Sequence, residues 1–144
     1  MAQAPTYPAT RYRPSPPPDL GVRAERERLS APALKAFFNI MGRWKVRDED
    51  ARALLGGVTN GPFYEWKRNP NRVIDTDRLT RISYLIGIFK ALHILHGRRL
   101  ADEWITLPNQ NPIFAGHAPL AFMIRGGLPA MLTVRRLLDA RRAG

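Results

Sequence analysis

Residues 75–97 read DTDRLTRISYLIGIFKALHILHG, and the rest of the chain is expected to pack around them. Apolar residues recur here at steps of three and four, which is the pattern of an α-helix with a buried face. They are Leu79, Ile82, Leu85, Ile86, Phe89, Leu92 and Leu95, and Ile88, Ala91 and Ile94 fill the other sides of the second half. A helix that is apolar on nearly every side must be covered by elements from both ends of the chain. We therefore expect a central helix, with Asp75 or Thr76 capping its start and Gly97 at its end.

Charges interrupt this helix too often for it to cross a membrane. Arg81 and Lys90 leave residues 82–89 as its longest uncharged run, whereas a membrane span needs about 20 predominantly apolar residues. The first twenty residues lack the apolar segment of a secretory signal. The chain has no cysteine, which suits a reducing compartment. We expect a cytoplasmic protein without a membrane partner.

The charge balance indicates a polyanion or an acidic protein as partner. The 144 residues include 23 Lys and Arg against 12 Asp and Glu, for a net charge of +11. This length fits one compact unit or two very small ones. The positive excess lies in residues 29–74 and 108–144, and the second range carries five arginines and one acidic residue. We expect two separate contact surfaces.

The rest of the chain predicts an all-α fold, because no stretch alternates with the period of two that marks a strand. We expect a disordered proline-rich tail over residues 1–28, a first module over 29–74 and a second over 75–144, with the central helix shared. The first module should open with a helix capped by Ser30, with Pro32 in its first turn. The second should contain a helix carrying Trp104, a proline-rich loop over 108–119, and two helices separated by Gly126-Gly127. The inner side of the last helix is expected to carry Leu132, Leu137 and Leu138.

Residues 49–68 have the spacing of a helix-turn-helix. Gly57 lies where the chain must turn with positive φ, and Val58 fills the space beneath that turn. Phe63 and Trp66 are expected to anchor the second helix, whose N-cap is Thr59. The opposite side, which carries Asn60, Gly61, Tyr64, Lys67 and Arg68, could then enter the major groove of DNA. The predicted DNA contacts are Thr59, Asn60, Tyr64, Lys67 and Arg68, flanked by phosphate-binding Arg43, Lys45, Arg47 and Arg72.

The alternative for residues 49–68 is two helices packed through a tight turn, with a solvated charged face. Gly61 and Pro62 lie where a recognition helix usually meets bases, and their side chains can make few specific contacts with base edges. Glu65, if exposed, would repel phosphate. The spacing by itself leaves both interpretations open.

No set of residues indicates an enzyme. The chain has no glycine-rich phosphate loop, no nucleophile elbow and no paired carboxylates. A metal site can be drawn from His93, His96 and either Asp102 or Glu103, but a histidine at the end of an apolar helix is more often packed or capping. We expect no catalysis, no metal and no cofactor.

Four runs in the C-terminal half closely resemble the Xre/MbcA/ParS antitoxins. They are RISYLIGIFKALHILHG, ADEW, LPNQNPIFAGHAPLAFMIRGG and VRRLLDARRAG, and the resemblance extends from about Leu29 to Gly144. Its most specific part is the pattern Trp104…Pro108-Asn109…Phe114…Gly116…Ala118-Pro119-Leu120, followed by Gly126-Gly127. The resemblance implies an Xre-like helix-turn-helix followed by a helical toxin-binding domain. Gly61-Pro62 and the proline-rich N-terminal extension depart from the family pattern.

The same resemblance implies a partner, a RES-domain toxin that consumes NAD⁺. The antitoxin would block the NAD⁺ pocket of the toxin with its C-terminal region and repress its own operon as part of a higher-order complex. We expect a homodimer that reads a palindromic operator. The acid-poor end of the chain can pair with acidic groups of a partner. The expected toxin contacts are Phe114, His117, Arg125, Arg135, Arg136, Arg141, Arg142 and the terminal carboxylate of Gly144.

A second hypothesis is a helix-turn-helix transcription regulator without a toxin partner. Its C-terminal half would then serve dimerisation or bind another protein. A RES-domain reading frame beside the gene would decide for the antitoxin.

Overall fold

A computed structural model describes residues 18–143 of the chain. This part consists of six α-helices and two short 3₁₀ helices, and it contains no β-strand. The α-helices are α1 (Arg23–Arg43), α2 (Asp48–Leu54), α3 (Asn60–Arg68), α4 (Thr76–Leu95), α5 (Arg98–Glu103) and α6 (Pro119–Ala143), and the 3₁₀ helices are Trp104–Thr106 and Pro112–Phe114. The all-α prediction is confirmed.

Helix α4 is the predicted central helix, and the core forms around it. Its buried side chains are Leu79, Ile82, Leu85, Ile88, Ala91 and Leu92. Helices α1, α5 and α6 all pack against it, so elements from both ends of the chain cover it, as expected. Asp75 is the N-cap, and its carboxylate accepts a hydrogen bond from the backbone N–H of Arg78 at 3.4 Å.

Helix α1 starts earlier than its sequence predicted. It begins at Arg23, so Ser30 and Pro32 lie inside the helix rather than at its first turn. The Ser30 hydroxyl is buried; it donates to the carbonyl oxygen of Arg26 at 2.6 Å and accepts from the N–H of Ile74 at 3.0 Å. This contact with a residue far along the chain gives the serine a tertiary role that a capping pattern does not anticipate.

The predicted tail boundary at residue 28 falls inside α1. Its first turns are supported by ion pairs within the helix, Arg23 with Glu27 and Glu25 with Arg28. These turns carry little apolar periodicity, and this is why the sequence pattern missed them. Residues 1–17 of the predicted tail lie outside the described residues.

The C-terminal end of α4 also differs from prediction. The helix ends at Leu95, and Gly97 has a φ of −63° and serves as the N-cap of α5, so it is not a left-handed cap. Ile94 is 62% exposed, although it was expected to be covered. Helix α5 packs against α4 through a different side, where Ala101 is buried.

Helix α6 is kinked at Gly127, where the Gly126-Gly127 pair predicted a break between two separate helices. Gly127 has φ 67° and ψ −147°, a conformation essentially reserved for glycine. In the second arm of α6, Met131, Val134 and Leu138 are fully buried. Leu132 and Leu137 are only partly buried, so the inner face is rotated from the predicted one. No helix among residues 18–143 combines the length and apolarity needed to cross a membrane.

Candidate functional site

The turn between α2 and α3 depends on two consecutive glycines. Gly56 and Gly57 have φ values of 88° and 91°, and the N–H of Gly57 donates to the carbonyl oxygen of Arg52 at 2.9 Å. Side chains other than glycine rarely adopt this backbone conformation. Val58 follows the turn and is buried beneath it, as its position predicted. The two helices are therefore held at a defined angle by local backbone chemistry.

Helix α3 has an inward and an outward face. Phe63 is buried and packs edge-on against Phe38 of α1, with ring centroids 5.4 Å apart. Trp66 is only partly buried and lies 5.9 Å from the guanidinium of Arg78. The outward residues are exposed as predicted, namely Asn60, Gly61, Tyr64, Lys67 and Arg68.

Thr59 occupies the N-cap position of α3, but its side chain makes no capping hydrogen bond. An N-cap side chain usually accepts from the N–H of the second or third helical residue. The third residue of α3 is Pro62, which has no N–H to donate. Pro62 thus removes one of the two backbone donors that a Thr59 cap could use.

A carboxylate of α2 binds the central polar groups of α3. The Tyr64 hydroxyl donates to Oδ2 of Asp48 at 3.0 Å, and Lys67 Nζ donates to Oδ1 at 3.1 Å. The hydrogen bond from Lys67 is the main reason that the pKa of Asp48 lies below its usual value. The same contact with Asp48 raises the pKa of Tyr64. Asp48 was not among the predicted residues of this surface, because it lies on another helix.

Glu65 is exposed, which is the case in which it was expected to repel phosphate. Its carboxylate binds two neighbouring arginines. Arg68 Nη2 donates to one of its carboxylate oxygens, and Arg72 Nη2 donates to the other at 3.0 Å. The cations of the outward face are therefore paired with acids of the same module. This surface is less positive than the lysine and arginine content of residues 29–74 suggests.

The flanking cations predicted to contact phosphate have different surroundings. Arg43 is turned toward α5, where it pairs with Asp102, so the structure does not place it beside α3. Arg47 pairs with Asp50 at 3.4 Å. Lys45 is exposed, has a left-handed φ of 56°, and forms no ion pair within residues 18–143.

Phe114, an expected toxin contact, is a core residue. It is 1% exposed and packs between Trp104 and Phe122, with ring centroids 6.0 Å and 5.3 Å away. A phenyl ring gains more from burial among aromatic rings than from exposure in a loop. Phe114 therefore holds the loop in place and cannot itself contact a partner.

The loop over residues 108–118 is tied to itself by hydrogen bonds. The side-chain oxygen of Asn109 accepts from the N–H of Asn111 at 2.9 Å, and that of Asn111 accepts from Ile113 at 3.1 Å. The backbone N–H of Asn109 also donates to the carbonyl oxygen of His117 at 3.2 Å. His117 is exposed at the rim of a depression of about 230 Å³ that Arg125 and Phe122 also line.

The C-terminal arginines fall into two groups. Arg125, Arg136 and Arg141 are exposed and form no ion pair within the described part of the chain. Arg135 instead packs over the ring of Tyr84 at 5.8 Å and lies 3.7 Å from Asp139, so it helps to join α6 to α4. Arg142 also approaches Asp139 at 3.7 Å. Gly144 lies outside the described residues.

Exposed apolar side chains near this loop were not singled out from the sequence. Leu100, Leu107 and Ile113 are each exposed by more than a third. Leu100 lies in α5, and Leu107 directly follows the 3₁₀ helix Trp104–Thr106. Among residues 18–143, no three His, Asp or Glu side chains lie close enough together to hold a metal ion.

No protein-family model matches the chain. It is 37% identical over 112 residues to y4oB, an uncharacterized protein of Sinorhizobium fredii, and the match covers 77% of this chain and 84% of y4oB. The chain belongs to the y4oB family. A match of this length includes α2, α3 and at least part of the C-terminal half, so the relationship to y4oB is not confined to one module.

Proposed function

We propose that this chain is the antitoxin of a type II toxin–antitoxin system, which blocks a RES-domain toxin and represses its own operon through α3. The proposal is supported by the structural role of those residues in which the chain resembles antitoxins. Trp104 and Phe114 form the aromatic support of the loop, Asn109 closes it, and Gly127 kinks α6. The resemblance therefore falls on residues that build one particular loop-and-kink arrangement.

The toxin would bind at the rim of this loop and along the last helix. His117 and Ile113 are exposed on the loop, Arg125 lies beside it, and Arg136 and Arg141 are exposed further along α6. Exposed guanidinium groups that have no acidic partner among residues 18–143 can pair with acidic groups around an NAD⁺ pocket. Because the loop is already held by hydrogen bonds, little conformational entropy is lost when it binds. The Gly144 carboxylate remains a predicted contact.

A rescue experiment tests the toxin-binding half of the proposal. Cells would express a RES-domain toxin, with and without this chain, while growth and NAD⁺ content are followed; the toxin is taken from beside this gene where a RES-domain reading frame lies there. Wild-type chain should restore both, and the double variant Arg136→Ala/Arg141→Ala should restore them poorly. Lys35→Ala is the matched control, since Lys35 is an exposed cation of α1 far along the chain from the loop. Absence of rescue by the wild type would reject the antitoxin function.

The second candidate function is transcription regulation without a toxin. This function is supported by the exposed face of α3, which could contact DNA whether or not the C-terminal half binds a toxin. In either case a homodimer would present two α3 helices to successive major grooves, about 34 Å apart. DNA binding together with failure to form a complex with any neighbouring RES-domain protein would favour this second function.

A further inference from the structure

The contact between α2 and α3 has a feature that the proposed function does not require. One carboxylate, that of Asp48, uses both of its oxygens to bind two side chains that lie one turn apart on α3. Those two side chains, Tyr64 and Lys67, are central to the face that would meet DNA. A hydroxyl and an ammonium group that converge on a pair of oxygens form an equally suitable site for a phosphodiester.

We propose that Asp48 is a built-in competitor of DNA phosphate, which occupies the Tyr64 and Lys67 donors and so limits the affinity of α3 for DNA. This inference rests on the proposed function, in which α3 contacts DNA. Its partner is the phosphate backbone, so the limit applies to DNA of any sequence. The effect lowers non-specific binding and leaves the choice of site to contacts with base edges.

The pair is weak enough to be displaced. The side chains of Lys67 and Asp48 are 48% and 39% exposed, so water and salt screen their attraction. When DNA displaces Asp48, its carboxylate remains close to the incoming phosphate and repels it. DNA must therefore break a contact and accept a nearby like charge at the same time.

The position of Asp48 is not explained by the needs of α2 alone. Acidic residues stabilise the first turn of a helix through its dipole, and α2 has three of them, Asp48, Glu49 and Asp50. Glu49 is exposed and forms no ion pair within residues 18–143. It therefore supplies a matched control, because neutralising Glu49 or Asp48 removes the same charge from the same turn.

Glu65 restrains Arg68 and Arg72 in a similar way. However, it lies on α3 itself, so its replacement would also change what DNA meets directly. Asp48 is the cleaner test because it belongs to the preceding helix.

The test compares Asp48→Asn with Glu49→Gln by fluorescence anisotropy. The probes are a duplex that covers the promoter region of the chain's own gene and an unrelated duplex of equal length, each over a range of salt. Asp48→Asn should bind both duplexes about 3- to 10-fold more tightly than wild type. Its salt dependence should steepen, because the carboxylate that repels phosphate beside Lys67 has lost its charge. Glu49→Gln should change affinity by less than about 2-fold.

A tyrosine absorbance titration checks the contact without DNA. Asp48 raises the pKa of Tyr64, so Asp48→Asn should return that pKa toward 10.0, while Glu49→Gln leaves it raised. Tyr64→Phe identifies which tyrosine signal belongs to this residue. An unchanged Tyr64 titration in Asp48→Asn would mean that the contact does not form in solution, and the inference would fail.

The binding outcomes separate the inference from the proposed function. Equal affinities for the two variants would overturn the inference while leaving DNA binding intact. Weaker binding of Asp48→Asn to the promoter alone would also overturn it, because Asp48 would then position Tyr64 and Lys67 for reading bases. If no protein, including wild type, binds either duplex, DNA binding is rejected and the inference falls with it.

Discussion

Arg43 at the end of α1 donates two hydrogen bonds to Oδ2 of Asp102 in α5, at 3.0 and 2.9 Å, although 59 positions separate the two residues. Nη2 of Arg43 also lies 3.2 Å from Nε2 of His93, and that nitrogen is 3.2 Å from Oδ1 of Asp102. On the other side of the ring, His93 Nδ1 is 2.9 Å from the carbonyl oxygen of Phe89. This group of side chains fastens the N-terminal module to the second half of the chain.

Breaking the Arg43–Asp102 pair should lower stability. The side chains are only 29% and 20% exposed, so the pair is better shielded than a surface ion pair. We expect Asp102→Asn to lower the free energy of unfolding by about 1–2 kcal/mol, measured by urea denaturation. The control is Glu103→Gln, whose partner Arg99 is 91% exposed, and its effect should stay below about 0.5 kcal/mol. Equal effects would show that the pair contributes no more than a surface contact.

Phe114 and His117 should have opposite consequences when truncated. Phe114→Ala removes a buried ring and should lower the free energy of unfolding by about 3–5 kcal/mol. His117→Ala should leave stability nearly unchanged and weaken toxin binding, since this side chain is exposed. Thermal unfolding and a pull-down with the proposed RES-domain partner measure the two effects. A stable Phe114→Ala variant would contradict the structural role assigned to that ring.

Gly127 should not tolerate a side chain. Its φ of 67° with ψ of −147° is strained for any residue with a Cβ, so Gly127→Ala should destabilise the fold by about 1–3 kcal/mol. Gly42→Ala is the control, because Gly42 lies within helix α1 and an added Cβ would meet nothing within 4 Å. That variant should gain about 0.5–1 kcal/mol. Two variants of equal stability would mean that α6 is not kinked at Gly127.

Asp75 should make stability depend on pH in the acidic range. Burial would raise its pKa, but the hydrogen bonds and charge of Arg78 outweigh burial and hold the pKa below the usual 3.8. A carboxyl whose pKa is lower in the folded state stabilises the fold above its unfolded pKa, and this contribution is lost as pH falls through the folded value. Asp75→Asn should therefore cost about 0.3–1 kcal/mol at pH 7 and progressively less below pH about 4. Denaturant titrations at several pH values measure this, and a constant penalty would argue against it.

Lys67 and Tyr64 should differ in their effect on DNA binding. Lys67→Ala should weaken binding similarly on every sequence and reduce the salt slope by about one unit, if the lysine contacts phosphate. Tyr64→Ala removes the aromatic ring as well as the hydroxyl that can bind phosphate, and the loss of ring contacts with base edges should reduce discrimination between the promoter duplex and an unrelated one. Gel shifts over a salt series measure both, with Lys35→Ala as the control. If neither variant changes binding, the DNA contacts lie outside α3.

Local patterns predicted the central helix and two of the glycine-dependent interruptions of the chain. The spacing of Leu79, Ile82 and Leu85 predicted the buried face of α4, and the glycine pairs predicted the turn before α3 and an interruption at the place where α6 is kinked. These features depend on residues within one or two helical turns, since helix periodicity and positive φ are properties of a short stretch of chain. They can therefore be predicted without any knowledge of what packs against them.

Tertiary structure alone decided which of the candidate residues are free to act. Phe114 is buried because Trp104 and Phe122 surround it, and Arg43 is committed to Asp102, whose position no nearby residue reveals. Asp48 meets Tyr64 and Lys67 only because the Gly56-Gly57 turn brings α2 against α3. Burial and charge pairing depend on neighbours distant in the chain, so the composition of a segment can indicate a surface but not which of its groups remain available.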